Sequence, residues 1–177
     1  MCDSLSGYLM NFKMYTGSLL ADDRNDVVSI VKQLLEPIAD RQPHVCCDRG
    51  YTSGNDIDLV LAMNGELVGT IAANRFSKCF VPIPEGETQV VKFVTPQNNV
   101  VDVLEVHPRN KKQFNIAYTI ASPGALGLEN KPGQEKEQIN LLYNIWKSAV
   151  DRFDTIVHCP LPAQEQALDI LSLSRLE

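Results

Sequence analysis

The sequence predicts an α/β domain, and three observations carry that expectation. Over residues 1–75, strand, helix, strand, helix and strand patterns follow one another. Three β-branched runs with short polar connections come next, and a long helical pattern follows them. At 177 residues, 44% hydrophobic and 21% charged, the chain suits one globular domain with room for an inserted subdomain.

Taken in order, Gly7 to Tyr15 reads as a partly alternating, aromatic-rich strand ending at Thr16-Gly17. From Asn25 to Ala39, Val28, Val31, Leu35 and Ile38 recur at helical spacing. Asn25 or Asp26 can cap this helix, and Pro37 should weaken its last turn. His44 to Cys47 is short and apolar, a buried strand that delivers Asp48 at its C-terminal end. Thr52 or Ser53 then caps a helix to about Asn64, with Asp56 three residues after Ser53 as a weak capping box. Gly65 ends it, and Leu67 to Ile71 is a strand. Gln89–Thr95, Val100–Val106 and Asn115–Ala121 read as a meander or hairpin unit. Residues 122–133 form a Gly/Pro-rich loop. Glu135 to about Phe153 is a helix with Ile139, Leu142, Trp146, Val150 and Phe153 on one face. Leu168, Leu171 and Leu173 could form a short helix packed on the core.

No apolar run approaches the roughly 18 residues of a membrane span, so no membrane partner is expected. Met1-Cys2-Asp3-Ser4 lacks the basic and apolar regions of a secretory leader. Five scattered cysteines without a C-x-x-C pair fit reduced intracellular thiols better than a disulfide framework or zinc site. The formal net charge of −6 is unlike a self-sufficient DNA binder, whose affinity comes from neutralising phosphates. If the chain handles DNA, most of the basic surface must therefore lie elsewhere or be missing.

The chemically interesting side chains are Asp48, Asp151 and Asp154. Asp48 sits at a strand end, where side chains point into the crevice above an α/β sheet. Asp151 and Asp154 are three apart on a helix and share a face. Converging carboxylates make a hard-oxygen cage that suits Mg²⁺, and two ions about 4 Å apart can drive phosphodiester chemistry. Capping or a solvated charge is the commoner role of an isolated Asp. Arg109, Lys111 and Lys112, beside His107, form a compact basic cluster. A phosphate-backbone contact and a solvated loop tip both fit it; small size and the lack of aromatics favour the tip.

Cys2-Asp3-Ser4…Gly7-Tyr8, Tyr15-Thr16-Gly17, Asp48-Arg49-Gly50-Tyr51-Thr52-Ser53, Gly69-Thr70-Ile71…Asn74-Arg75 and Tyr143-Asn144…Val150-Asp151-Arg152-Phe153-Asp154 occur in that order. In sequence and spacing the set resembles the piggyBac transposase family, across about residues 2–154. The resemblance implies a ribonuclease-H-like core interrupted by a β-rich insertion. Residues 1–79 would form the first part of that core, 80–134 the insertion, 135–157 the returning helix and 158–177 an unassigned tail.

By the same resemblance, Asp48 and Asp151 correspond to the second and third catalytic aspartates, and Asp154 to a further carboxylate. Together they would hold Mg²⁺ or Mn²⁺ for DNA excision and strand transfer. Implied partners are transposon ends and TTAA target DNA, with room for a homodimer, in the nucleus; Arg75, Arg109, Lys111 and Lys112 are the candidate DNA contacts. The family's first catalytic aspartate precedes the Cys2-Asp3-Ser4 motif, so Asp3 is expected to end a strand or cap a turn. The core as given is then expected to lack its first, central strand, and the fragment to be inactive. Ser148-Ala149 replaces paired glycines, Arg49-Gly50 replaces Asn and an aromatic, and Ala72 stands where the family often has Arg. A non-catalytic DNA- or protein-interaction module and an unrelated α/β enzyme are the other readings.

Overall fold

The computed structural model describes residues 1–3, 6, 9–13, 26–72, 75, 82–120 and 135–158; in the last stretch, side chains are described at 138–149 and 151. The elements are α1 (Val27–Leu35), β1 (His44–Cys47), α2 (Gly54–Ala62), β2 (Glu66–Ile71), β3 (Thr88–Val94), β4 (Val100–Val106), β5 (Phe114–Tyr118) and α3 (Glu135–His158). The five strands form one sheet in the order β1-β2-β5-β4-β3. β1 and β2 are parallel, with Cys47 opposite Gly69, and the remaining neighbours are antiparallel.

Alternate strand residues face opposite sides of a sheet, which divides the core into two layers. Cys47, Leu67, Ile71, Val101, Val103 and Phe93 pack with Val31 and Leu35 of α1 and with Ile57 and Val60 of α2. On the other face, Val68, Leu104, Val106 and Ile116 pack with Ile139, Leu142 and Tyr143 of α3. Ile57, Val60 and Leu67 are 0% exposed, and each contributes about 1.5–3 kcal/mol by leaving water. The mixed α/β class predicted from the sequence holds.

α1 begins where Asp26 accepts from the Ser29 amide at 3.0 Å. It stops as an α-helix at Leu35 rather than running to Ala39; residues Glu36–Arg41 tighten into 3₁₀ turns. Pro37 has no amide proton to give the Gln33 carbonyl. The Asn11 side-chain amide donates there instead, at 3.3 Å, and to the Leu34 carbonyl at 3.1 Å. That use of Asn11 also bears on the strand expected at Gly7–Tyr15. Of its described residues, only Leu9 makes a bridge, to Cys2, while Met10 and Asn11 donate to the Met1 carbonyl. Leu9, Met10 and Asn11 thus lie against Met1 and Cys2, and Asn11 caps the end of α1. Its residues 7, 8, 14 and 15, like Thr16-Gly17, lie outside the described residues. Asp3 caps a turn as expected, accepting from the Ser6 amide at 2.7 Å.

The meander is present as β3, β4 and β5, but it forms no separate layer. β5 pairs directly with β2, so strands from 80–134 extend the sheet begun by β1 and β2. The strand expected to run to Thr95 ends at Val94, because Thr95 turns the chain: its amide donates to the Asn99 carbonyl and its hydroxyl to Asp58. Likewise β5 stops at Tyr118 rather than Ala121. Residues 79, 80 and 134, at the expected domain boundaries, lie outside the described residues, as do the 122–133 loop and the tail from 159 onward.

Strand direction decides which connections meet at the same end of the sheet. β1 and β2 run together, and two successive antiparallel pairings bring β4 back to their direction. Their C-terminal ends, at Cys47, Ile71 and Val106, therefore share one rim.

Candidate functional site

Asp48 is the first residue beyond β1 and is exposed on that rim. The turn after it, Arg49–Tyr51, is held by hydrogen bonds to the Asp48 carbonyl from the Tyr51 amide at 2.8 Å and the Thr52 hydroxyl at 3.0 Å. Thr52 is 0% exposed because it sits against β2. There Gly69 has no alternative: a Cβ would fall 2.5 Å from Thr52 Oγ1 and 2.8 Å from the Cys47 carbonyl oxygen. Arg75 steadies the same turn by donating to the Gly50 carbonyl at 3.1 Å.

Three elements meet at the Asp48 carboxylate. Thr70 of β2 donates to Asp48 Oδ1 at 3.3 Å, and the Tyr143 hydroxyl of α3 lies 3.1 Å from the same Thr70 oxygen. Burial pushes the Tyr143 phenol above its ordinary value, and Cys46, Asp48 and Cys47 add to it. The Lys147 ammonium lies 5.3 Å from the Tyr143 ring centre. Beneath the rim, burial raises both Cys46 and Cys47 thiols to about 12. They are packed as inert thiols.

One turn further on, Ser53 caps α2, accepting from the Asp56 amide and donating to Asp56 Oδ2. This is the expected capping box. Asp56 Oδ1 is buried without a hydrogen-bond partner. Desolvation raises the Asp56 carboxyl above its ordinary value, against the Ser53 hydrogen bond and the nearby Arg75 charge.

Asp151 is exposed on α3. It lies two turns beyond Tyr143, roughly 12 Å along the helix axis at the α-helical rise. The helix runs away from Asp48 as residue numbers increase. Tyr143 reaches Thr70 at the upper rim, whereas Trp146 sets its ring 6.3 Å from that of His44, the first residue of β1. The structure thus brings Thr70, with Tyr143 behind it, and the Arg75-held turn to Asp48. The Asp154 side chain lies outside the described residues. Among the described residues, no group of three or more His, Cys, Asp or Glu could hold a metal ion.

Arg109, Lys111 and Lys112 are exposed in the connection between β4 and β5. That connection leaves β4 at Val106, so it opens on the Asp48 rim, three strand spacings or roughly 14 Å across the sheet. The connection is braced by His107, whose Nδ1 lies 2.6 Å from the Ile83 carbonyl oxygen. Sequence reasoning missed the Thr70–Tyr143 pair. Both residues stood in the ordered motifs, but nothing local signals that they meet.

Comparison with known proteins places this arrangement in a class. A family model described as Transposase IS4 matches residues 1–159, and the chain belongs to that transposase family. Among solved structures, it is similar to piggyBac transposase in a synaptic complex with hairpin DNA, determined by cryo-EM. The TM-score is 0.67 at 21% sequence identity, covering 88% of this chain and 32% of that one. What the two share is the fold, and this chain spans about a third of that transposase's length. No curated protein matches the chain. The family resemblance carried by the ordered motifs is borne out. Among the described residues, no helix is long and apolar enough to cross a membrane.

Proposed function

We propose that this chain is a transposase-derived DNA-handling domain with a ribonuclease-H-like core, in which Asp48 faces the phosphodiester. The observation carrying this reading is topological. Asp48, the Arg75-held turn and the Arg109–Lys112 connection all lie on one rim of the sheet, although the chain as a whole is acidic. Cations on that rim can position a DNA backbone, and a strand-end carboxylate beside it is suitably placed for a hard cation. TTAA-flanked transposon ends are the proposed DNA, as in the family resemblance, and the nucleus the proposed compartment.

The residues described do not complete a two-ion catalytic centre. Asp48 supplies one carboxylate, already contacted by Thr70, and no group of three or more His, Cys, Asp or Glu that could hold a metal ion is found among the described residues. Mg²⁺ or Mn²⁺ bound there would take most of its ligands from water and phosphate. Arg49 adjoins Asp48, and Ser148-Ala149 lies just before Asp151. We therefore infer that these 177 residues do not cut or join DNA by themselves, and that a non-catalytic DNA-interaction role is the alternative they retain. A purified chain incubated with Mg²⁺ or Mn²⁺ and a TTAA-flanked transposon end should leave the DNA intact. Hairpin or joined products would overturn the inference.

A further inference from the structure

We propose that Thr70 and Tyr143 act together as a positioning relay for Asp48, linking the orientation of its carboxylate to the seating of α3; this rests on reading Asp48 as the ligand-facing residue. The direction of the relay follows from what each group can donate. An ionised carboxylate only accepts, so Thr70 gives its one hydroxyl proton to Asp48 Oδ1. Thr70 Oγ1 can then only accept from Tyr143, so the phenol is the donor across their 3.1 Å contact. Tyr143 is 7% exposed and packed in the layer formed by Val68, Ile139 and Leu142, so its hydroxyl is aimed by the core rather than by solvent. At 3.3 Å, the Thr70–Asp48 link is long for a hydroxyl donor and is the adjustable member of the chain. Asp48 directly follows β1, Thr70 is on β2 and Tyr143 on α3. A shift of α3 is thereby felt at a carboxylate that Tyr143 never touches.

A merely structural tyrosine would show no energetic link to Asp48, so the test is a mutant cycle. Melting temperatures are measured for the chain, Asp48→Ala, Tyr143→Phe and the double variant, then again with Thr70→Val added to each. Tyr143→Phe keeps the ring and its packing, which guards against simple misfolding. The relay predicts that the Asp48 and Tyr143 effects miss additivity by about 1–2 °C, and that additivity returns with Thr70→Val. Thr70→Ser, which keeps the hydroxyl, should preserve the coupling. Additive effects in the Thr70 background, or coupling that survives Thr70→Val, would overturn the relay. Mn²⁺ titration of the same proteins separates the two readings. If the unmodified chain binds no Mn²⁺ but the cycle shows coupling, the ligand role of Asp48 falls and the relay stands. If Mn²⁺ binds and is lost with Asp48→Ala but unchanged by both Thr70→Val and Tyr143→Phe, the relay falls instead.

Discussion

Asp48 and Asp58 belong to the same strand–turn–helix unit and are used in opposite ways. Asp58 is 2% exposed on α2, and its carboxylate is taken up by the turn between β3 and β4. It accepts from the Thr95 hydroxyl, from the Gln97 amide at 3.0 Å and from the Asn99 side-chain amide at 2.7 Å. Asp48 is exposed, with one long hydrogen bond from Thr70 and an open turn beyond it. One carboxylate fastens the meander to the helical layer; the other is left with lone pairs to offer. Proximity to a motif therefore says little about a carboxylate's role, and the count of donors around it says much.

The largest effect should come from breaking the fastened one. Asp58→Ala removes the acceptor of three donors, the buried Thr95 hydroxyl among them, and should destabilise the fold by about 3–5 kcal/mol, read from denaturant unfolding. Gly69→Val comes next. Its Cβ would press on Thr52 Oγ1 and on the immovable Cys47 carbonyl, for a loss of about 2–3 kcal/mol in the same measurement.

Asp56 sharpens the comparison through pH. Its carboxyl is raised above the ordinary value of 3.8, so the folded chain holds that proton more tightly than the unfolded chain does. The folded state is favoured while Asp56 is protonated. Stability should fall as pH rises from 3.8 through the raised value, then level off. Asp56→Asn should flatten that slope in denaturant midpoints taken from pH 3.8 upward. The smallest effect should be at the open carboxylate: Asp48→Ala should change stability by about 1 kcal/mol or less, since it removes one exposed hydrogen bond. A loss there as large as that of Asp58→Ala would break the comparison.

What the sequence made legible was local. β1 matched the predicted His44–Cys47 because a short apolar run was bounded by Pro43 and Asp48. The Ser53 cap and the weakness after Pro37 were likewise consequences of neighbouring residues. The rest depended on partners far along the chain. Nothing near Asn11 announces that its amide will serve α1 carbonyls 22 and 23 residues away. The Asp58 clamp spans 37 to 41 residues, and the Thr70–Tyr143 contact spans 73. The pairing of β5 with β2 is equally non-local, and it joins the three strands of the meander to the sheet begun by β1 and β2. For the site, the motif order pointed to Asp48 and Asp151. At the first of them, the partners come from β2 and α3, which no local pattern announces.

Paramagnetic line broadening of backbone amides by Mn²⁺ tests the central claim most directly, because it reports which carboxylate is open to an ion. Asp48, the Arg49–Tyr51 turn and Thr70 should broaden first, and Asp48→Ala should abolish the effect. Broadening that begins around Asp58 and Thr95, or that persists unchanged in Asp48→Ala, would contradict it.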